Sequence, residues 1–291
     1  QNSKNRGTAF VIPEYSIFDI GGFALVKKTF NKLSVSGGIR YDTRMLKGKD
    51  LFVDSSGKRL SGPGSGALAD FTAYTSNFSG LSGCIGATYD FNDNFYAKTN
   101  IARGYRAPTA AESGANGIHD GTPFYEIGDH NLKAESSWQF DGTLGISSED
   151  ISAELTAFVN NINHYIFAGK LESVFGGDSI RNDPALALAP GPAFKYVQGN
   201  ALLSGGEFVL NIHPHGLKWL HFDNSFSFVN AVQKNQPDSA KYLPFTPPAK
   251  YRTELKFSWT NGKTIKNWYV KIGLDYYFEQ DKIYYKYGDE T

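Results

Sequence analysis

The sequence predicts an all-β protein: a transmembrane antiparallel up-and-down β-barrel, of which this chain supplies about ten strands. Three observations support that fold class. Apolar and polar residues alternate over successive segments, as in strands with one apolar and one wet face. Short and long connections also alternate along the chain. Finally, no run of about 18 apolar residues is present, which excludes a membrane-spanning helix.

The clearest alternation lies near the end of the sequence. In segment 251–259, Tyr251 and Leu255 share one face, and Arg252 lies on the other. Segment 268–278 repeats the pattern. Weaker or shorter versions predict further strands at 16–28, 33–42, 81–90, 94–104, 136–147, 151–159, 206–213 and 220–228. Most of these segments approach the roughly 9–11 residues that a tilted membrane strand needs.

The connections carry an independent signal. Short turns rich in Asn, Asp, Ser, Gly and Pro are predicted at 30–32, 92–94, 147–150, 213–216 and 260–267. Long segments are predicted at roughly 44–78, 105–134, 168–200 and 232–248. Because the two kinds alternate, all long loops emerge at one rim. Outer-membrane barrels have this layout, with the short turns facing the periplasm.

The polar faces carry charges of both signs, for example Arg40, Lys98, Glu154, Arg252 and Lys271. An Arg or Lys at the lipid midplane costs about 2–4 kcal/mol. These faces are therefore predicted to line a wet lumen or to contact a plug, and the apolar faces are predicted to meet lipid.

Composition and motifs exclude several classes of function. The 29 basic and 29 acidic residues cancel, so no overall field attracts nucleic acid. The single cysteine, Cys84, excludes an internal disulfide. The sequence contains no phosphate-binding loop, no H-E-x-x-H and no G-x-S-x-G. We therefore predict that the protein is not an enzyme and needs no cofactor.

Two stretches resemble TonB-dependent outer-membrane receptors, especially those of the Bacteroidetes type. NFYAKTNIARGYRAPTAAES at 94–113 contains the family's G-Y/F-R-A-P element, and GTPFYEIGDHNLKAESS at 121–137 contains its N-L-K-x-E element. His130 departs from the family, which usually has Pro before Asn-Leu-Lys. LPFTPPAKYRTEL at 243–255 is similar to a stretch that enters a late strand of the family's barrels.

The resemblance implies import of a scarce nutrient, often an iron chelate such as a ferric siderophore, through a plugged barrel. It implies location in the outer membrane of a Gram-negative bacterium, with outer-membrane lipid around the wall. The TonB energy-coupling complex would act through a plug region. We expect neither that plug nor the terminal strands within 1–291, so the whole range reads as one barrel segment, somewhat under half of a wall of about 22 strands.

Candidate ligand contacts lie in and beside the long segment 105–134. Arg103 and Arg106 could hold a carboxylate or phosphate by a two-pronged bond, although wall-to-loop ion pairing is the competing interpretation. His119 and Asp120 lack the spacing that indicates a metal site. The predicted ligand-contacting set is Arg103, Tyr105, Arg106, His119, Asp120, Tyr125 and Glu126.

Two other functions remain compatible with the pattern. A passive porin would have the same wall without a plug. A soluble β-sandwich or adhesion module would bury the apolar faces in a dry core instead of exposing them to lipid. The ligand class also stays open among siderophores, haem, cobalamin and glycans.

Overall fold

A computed structural model describes residues 1–6, 10–118, 124–175, 177–181, 190–259 and 267–285 of the protein. The regular secondary structure of the described part is almost entirely β, with one short helix, α1 (Ala110–Gly114), and two 3-10 turns. The strands are β1 (Asn2–Ser3), β2 (Tyr15–Phe30), β3 (Leu33–Gly48), β4 (Leu51–Val53), β5 (Arg59–Leu60), β6 (Leu68–Phe71), β7 (Tyr74–Asp90), β8 (Phe95–Arg106), β9 (Asn116–Ile118), β10 (Tyr125–Ile127), β11 (Glu135–Ser147), β12 (Ile151–Lys170), β13 (Ile180–Arg181), β14 (Gly191–Ile212), β15 (Leu220–Gln233), β16 (Lys250–Trp259) and β17 (Trp268–Tyr277). No helix within these residues is long and apolar enough to cross a membrane.

Ten long strands form the wall and pair in chain order: β2, β3, β7, β8, β11, β12, β14, β15, β16 and β17. Every neighbouring pair among them is antiparallel, which confirms the up-and-down topology. Short turns at 31–32, 91–94, 148–150 and 213–219 lie at one rim, and the connections at 49–73, 107–134, 171–190 and 234–249 lie at the other. Most of the short turn predicted at 260–267 lies outside the described residues.

Several strands are longer than the sequence predicted. β12 was predicted at 151–159 but continues to Lys170, and β14 was predicted at 206–213 but begins at Gly191. The predicted end of β12 was too early because the apolar-face positions after Val159 are occupied by the polar residues Asn161 and Asn163. The strand keeps its hydrogen bonds there but loses the apolar alternation that marks a lipid-facing segment. A bulge between Ile162 and Tyr165 also shifts the register.

Most of the large apolar side chains of the wall share one face, called here the apolar face. The paired register places Ile85, Leu144, Leu155 and Ile272 in its rows. Leu144 is 62%, Leu155 56% and Ile272 64% exposed, so no second layer packs over them within the described residues. This exposure counts against a β-sandwich with a dry core.

Aromatic residues gather at the ends of the apolar face. Trp259 and Trp268 stack at 4.1 Å between ring centroids beside the short-turn rim, and Trp219 stacks on Phe257 at 5.9 Å. Trp138 lies toward the opposite rim in β11. All four tryptophans of the chain therefore lie on the apolar side, where the two aromatic belts of a membrane barrel are expected.

The long connections contain structure of their own. Strands β4, β5 and β6 form a small sheet over a cluster of Phe10, Leu51, Val53 and Phe71. Strand β10 pairs with β9 and also runs parallel to the extended part of β14, where Ile118, Tyr125 and Ala193 form a second cluster. These loops therefore pack on the wall extensions rather than standing free.

Candidate functional site

The face opposite the apolar face carries most of the charged residues of the wall, and we call it the polar face. Oppositely charged side chains pair across it, either on neighbouring strands or on strands separated by one other strand. Lys98 Nζ lies 2.8 Å from Glu154 Oε1, which also accepts a hydrogen bond from the Tyr96 hydroxyl. Arg44 Nε lies 2.8 Å from Asp19 Oδ1. The structure thus places charges of both signs together on one face, as the alternation predicted.

A second group of charges crosses β16 and β17. Lys271 Nζ lies 2.5 Å from Glu254 Oε1, and Lys250 Nζ lies 3.2 Å from Asp275 Oδ2. Arg252 lies between the two carboxylates, 3.5 Å from Glu254 and 3.8 Å from Asp275. Because these pairs are exposed, each contributes little stability, but together they give the polar face a continuous charged and hydrogen-bonding surface.

At the loop rim, β8 ends at Arg106 and the chain turns into the helix α1. The strand ends two residues later than the predicted 94–104, just before Pro108, which cannot donate to a ladder and disfavours helix at the preceding residue. Thr109 then caps α1: its hydroxyl accepts from the Glu112 amide at 3.1 Å, and its own amide donates to the Glu112 carboxylate at 2.8 Å. This capping box fixes the Glu112 carboxylate at the start of the loop.

Arg106 lies between two carboxylates, one from the loop and one from the wall. Its Nε and Nη2 each donate to Glu135 at 2.7 Å, and its Nη1 donates to both oxygens of Glu112 at 2.9 Å. The two carboxylate side chains are only 13% (Glu112) and 12% (Glu135) exposed. Two-pronged charge-assisted bonds of this kind are the strong ones. The guanidinium therefore joins the wall to the loop, as the ion-pairing interpretation predicted.

Further contacts hold the 107–134 loop on its neighbours. The Asn116 side-chain amide donates to the Asp70 carbonyl at 2.8 Å, and the Tyr74 ring stacks on His130 at 4.2 Å. Gly128 passes so close to the helix that an added Cβ would lie 2.5 Å from the Ala115 amide nitrogen. The described residues of this loop are thus tied to β7 and to the 49–73 connection.

Asp129 adds an electrostatic tie between this loop and β14. Its carboxylate accepts from the Asn131 amide at 2.9 Å and lies 3.1 Å from Lys195 Nζ. Partial burial alone would raise the pKa of Asp129, but the Asn131 bond and the Lys195 charge outweigh it and hold that pKa below its usual range. The tie is therefore expected to persist at neutral pH.

The other predicted ligand contacts are dispersed. Tyr125 is only 7% exposed, and its hydroxyl donates to Asn116 at 3.0 Å. Glu126 accepts a bond from the Tyr196 hydroxyl at 3.2 Å. The Tyr105 ring lies over Gly80, where it fills the space of a missing Cβ. His119 and Asp120 lie outside the described residues.

Arg103 lies in a row of the apolar face, opposite Gly83 on one side and Trp138 on the other. It donates to the Leu81 carbonyl, close to the point where the pairing of β7 with β8 stops. Arg103 and Arg106 are three residues apart, and the alternation of the strand places them on opposite faces.

Sequence reasoning missed the partners of Arg106. Glu135 belongs to the quoted N-L-K-x-E element, and the Thr109-x-x-Glu112 spacing is a readable capping signal. Their meeting at one guanidinium could not be foreseen, because it depends on the register between β8 and β11. Among the described residues, no group of three His, Cys, Asp or Glu is placed to hold a metal ion.

A family model described as TonB dependent receptor-like, beta-barrel, matches residues 2–291. Among solved structures, the copper transporter OprC superposes with a TM-score of 0.70 at 17% identity, covering 92% of this chain and 36% of that one. The hemophore receptor HasR of Serratia marcescens superposes with a TM-score of 0.61 at 17% identity, covering 96% of this chain and 48% of that one. The ferric yersiniabactin uptake receptor FyuA of Yersinia pestis superposes with a TM-score of 0.55 at 14% identity, covering 85% of this chain and 32% of that one. The chain thus spans between about a third and a half of the length of these structures.

Proposed function

Because this chain belongs to the TonB-dependent receptor family of outer-membrane transporters, which are not enzymes, we propose that it serves in the uptake of an iron complex or a similarly scarce nutrient. Its polar face would line the path of the ligand, and its folded loops would cover the outer mouth of that path. The single observation that carries the proposal is the Arg106 junction, which ties Glu112 at the start of the long loop to Glu135 in the wall.

The choice of an iron complex draws on similar proteins and on the polar face. OprC is described as a copper transporter, FyuA as a ferric yersiniabactin receptor, and HasR was solved with its hemophore and heme. All three handle a metal or a metal complex. A face with charges of both signs and many hydroxyl and amide groups suits a hydrated metal chelate better than an apolar solute.

We propose that Tyr105, Tyr125, Glu126, His119 and Asp120 remain candidate ligand contacts, with Arg106 acting through the loop that it holds. Arg103, the other residue of the predicted set, lies in a row of the apolar face and therefore faces away from this path. We further propose that the chain is one segment of a wall of about 22 strands, that a plug region carries the TonB contact, and that the receptor is of the Bacteroidetes type. The matched structures are two to three times as long as this chain, which supports the larger wall.

An uptake assay tests the substrate class. The complete gene is expressed in a Gram-negative strain that lacks its own ferric-chelate receptors, with and without a functional TonB. We expect a radiolabelled ferric siderophore to accumulate only when the gene and TonB are both present. TonB-dependent uptake of haem, cobalamin, a glycan or a copper complex instead would replace the iron-chelate proposal. If none of these ligands accumulates, the transport proposal itself is wrong.

Cys84 offers a test against the passive porin. The thiol is exposed on the polar face of β7, opposite Gly38 and Ala102. In an open pore, a bulky polar maleimide added to intact cells should label it, and in a plugged receptor it should not. We expect no labelling in the complete protein compared with a Cys84→Ser control, and labelling once the region upstream of the barrel is deleted. Full labelling of the intact protein would favour the porin.

A further inference from the structure

Charge on the apolar face of the ten long strands is confined to four side chains, and none of them is a carboxylate. The register places Lys28, Lys47, Arg103 and Lys170 in the rows of this face. All four lie toward the ends of the strands. Lys28 lies at the short-turn rim, with its amine 4.8 Å from the centre of the Phe30 ring. Arg103 lies toward the loop rim and carries the argument below.

Arg103 belongs to a row that runs across three strands. It lies opposite Trp138, which lies opposite Asn161. Since adjacent strands are about 4.8 Å apart, the backbones of Arg103 and Asn161 are roughly 10 Å apart. Lys234 Nζ reaches the same row and donates to Asn161 Oδ1 at 2.5 Å. Two cations therefore flank the Trp138 ring, and neither pairs with a carboxylate among the described residues.

The row lies at a change of polarity along the wall. On its short-turn side come Ile101, Phe140 and Val159, and on its loop side come Ser136 and Asn163. A tryptophan with an apolar body and a polar edge is typical of such a boundary. The row thus marks the level at which hydrocarbon gives way to headgroups in the leaflet on the loop side.

We propose that this row binds the phosphate-bearing headgroup of an outer-leaflet lipid. Arg103 has donors left beyond the one given to Leu81, and a guanidinium fits two phosphate oxygens, whereas Lys234 supplies a point charge. The acyl chains would lie over Ile101, Phe140 and Val159. The absence of carboxylates from these rows favours an anionic headgroup over a zwitterionic one. This site is separate from the proposed nutrient path, because it lies on the other face of the wall.

Fluorescence quenching by brominated lipids tests the site. The complete protein is placed in phosphatidylcholine nanodiscs containing a small fraction of acyl-brominated phosphatidylglycerol or, in parallel, acyl-brominated phosphatidylcholine. The Trp138 signal is isolated as the difference from Trp138→Phe. Because each basic residue near anionic lipid favours it by about 1 kcal/mol, or about fivefold, we expect a clear excess of quenching by the anionic lipid. In the double variant Arg103→Gln/Lys234→Gln, the excess quenching of Trp138 by the anionic lipid should disappear, while quenching by the choline lipid should stay unchanged.

Lys28→Gln is the matched control, since it removes an apolar-face cation at the opposite rim and should leave the Trp138 excess intact. Equal quenching by the two lipids, or an excess that survives the double substitution, would overturn the proposal. Loss of the excess on adding millimolar inorganic phosphate, but not equal ionic strength of chloride, would assign the site to free phosphate and also overturn the lipid assignment.

Discussion

Ile85→Arg should lower the free energy of unfolding of the protein in a bilayer by about 2–4 kcal/mol, whereas Cys84→Arg should change it by about 0.5 kcal/mol or less. The two residues are neighbours on β7 but face opposite ways. Ile85 lies midway along an apolar row between Leu81 and Tyr89, where a guanidinium would meet hydrocarbon. Cys84 is exposed on the polar face, opposite Gly38, so a longer side chain can extend away from the wall.

Urea titration of the protein folded into lipid vesicles, followed by the gel-mobility shift of the folded barrel, measures both effects. Ile85→Met is the control for the loss of branched packing and should cost less than about 1.5 kcal/mol. Equal destabilisation by the two arginine variants would contradict the assignment of the faces. A larger loss of unfolding free energy for Cys84→Arg than for Ile85→Arg would reverse the assignment of the faces.

The wall was predictable because its signal is local and repeated. The alternation in β16 and β17 needs only a period of two and one apolar face, and it gave both strands to within about a residue. The alternation of short and long connections gave the topology. Where strands continue beyond the lipid, as in β12 after Val159, the apolar alternation is lost, because Asn161 and Asn163 take apolar-face positions and the bulge between Ile162 and Tyr165 shifts the register. The hydrogen-bonded ladder continues there without a sequence pattern to mark it.

The loop structure was much less predictable. Strands β9 and β10 are three residues each, and β10 is held by parallel pairing with β14, about seventy residues further along the chain. No local pattern specifies such a contact. The candidate list selected polar residues of the loop by chemical type, but it could not tell that Tyr125 turns inward. Which polar groups are used up by internal bonds depends on tertiary register.

Arg106→Met is expected to release the 107–134 loop from the wall. The substitution leaves Glu112 and Glu135, both largely buried, facing each other without their shared cation. Removing one partner of a buried ion pair typically costs about 3–5 kcal/mol, and the partial exposure of Arg106 places this case near the lower end. Limited proteolysis of the folded protein should then cut within 107–134, and ligand uptake should fall with it.

Matched variants separate the junction from a direct role of Arg106 in ligand binding. Glu207→Gln removes a polar-face carboxylate on β14 that makes no ion pair among the described residues, so it should leave the loop protected. Adding Glu112→Gln and Glu135→Gln to Arg106→Met removes the facing charges and should restore part of the protection. Arg106→Lys keeps the positive charge but cannot form the two-pronged bonds of a guanidinium, so the loop should show intermediate protection from protease. If Arg106→Met instead abolished uptake while the loop stayed resistant to protease, the guanidinium would be contacting ligand. The junction would then be incidental to its function.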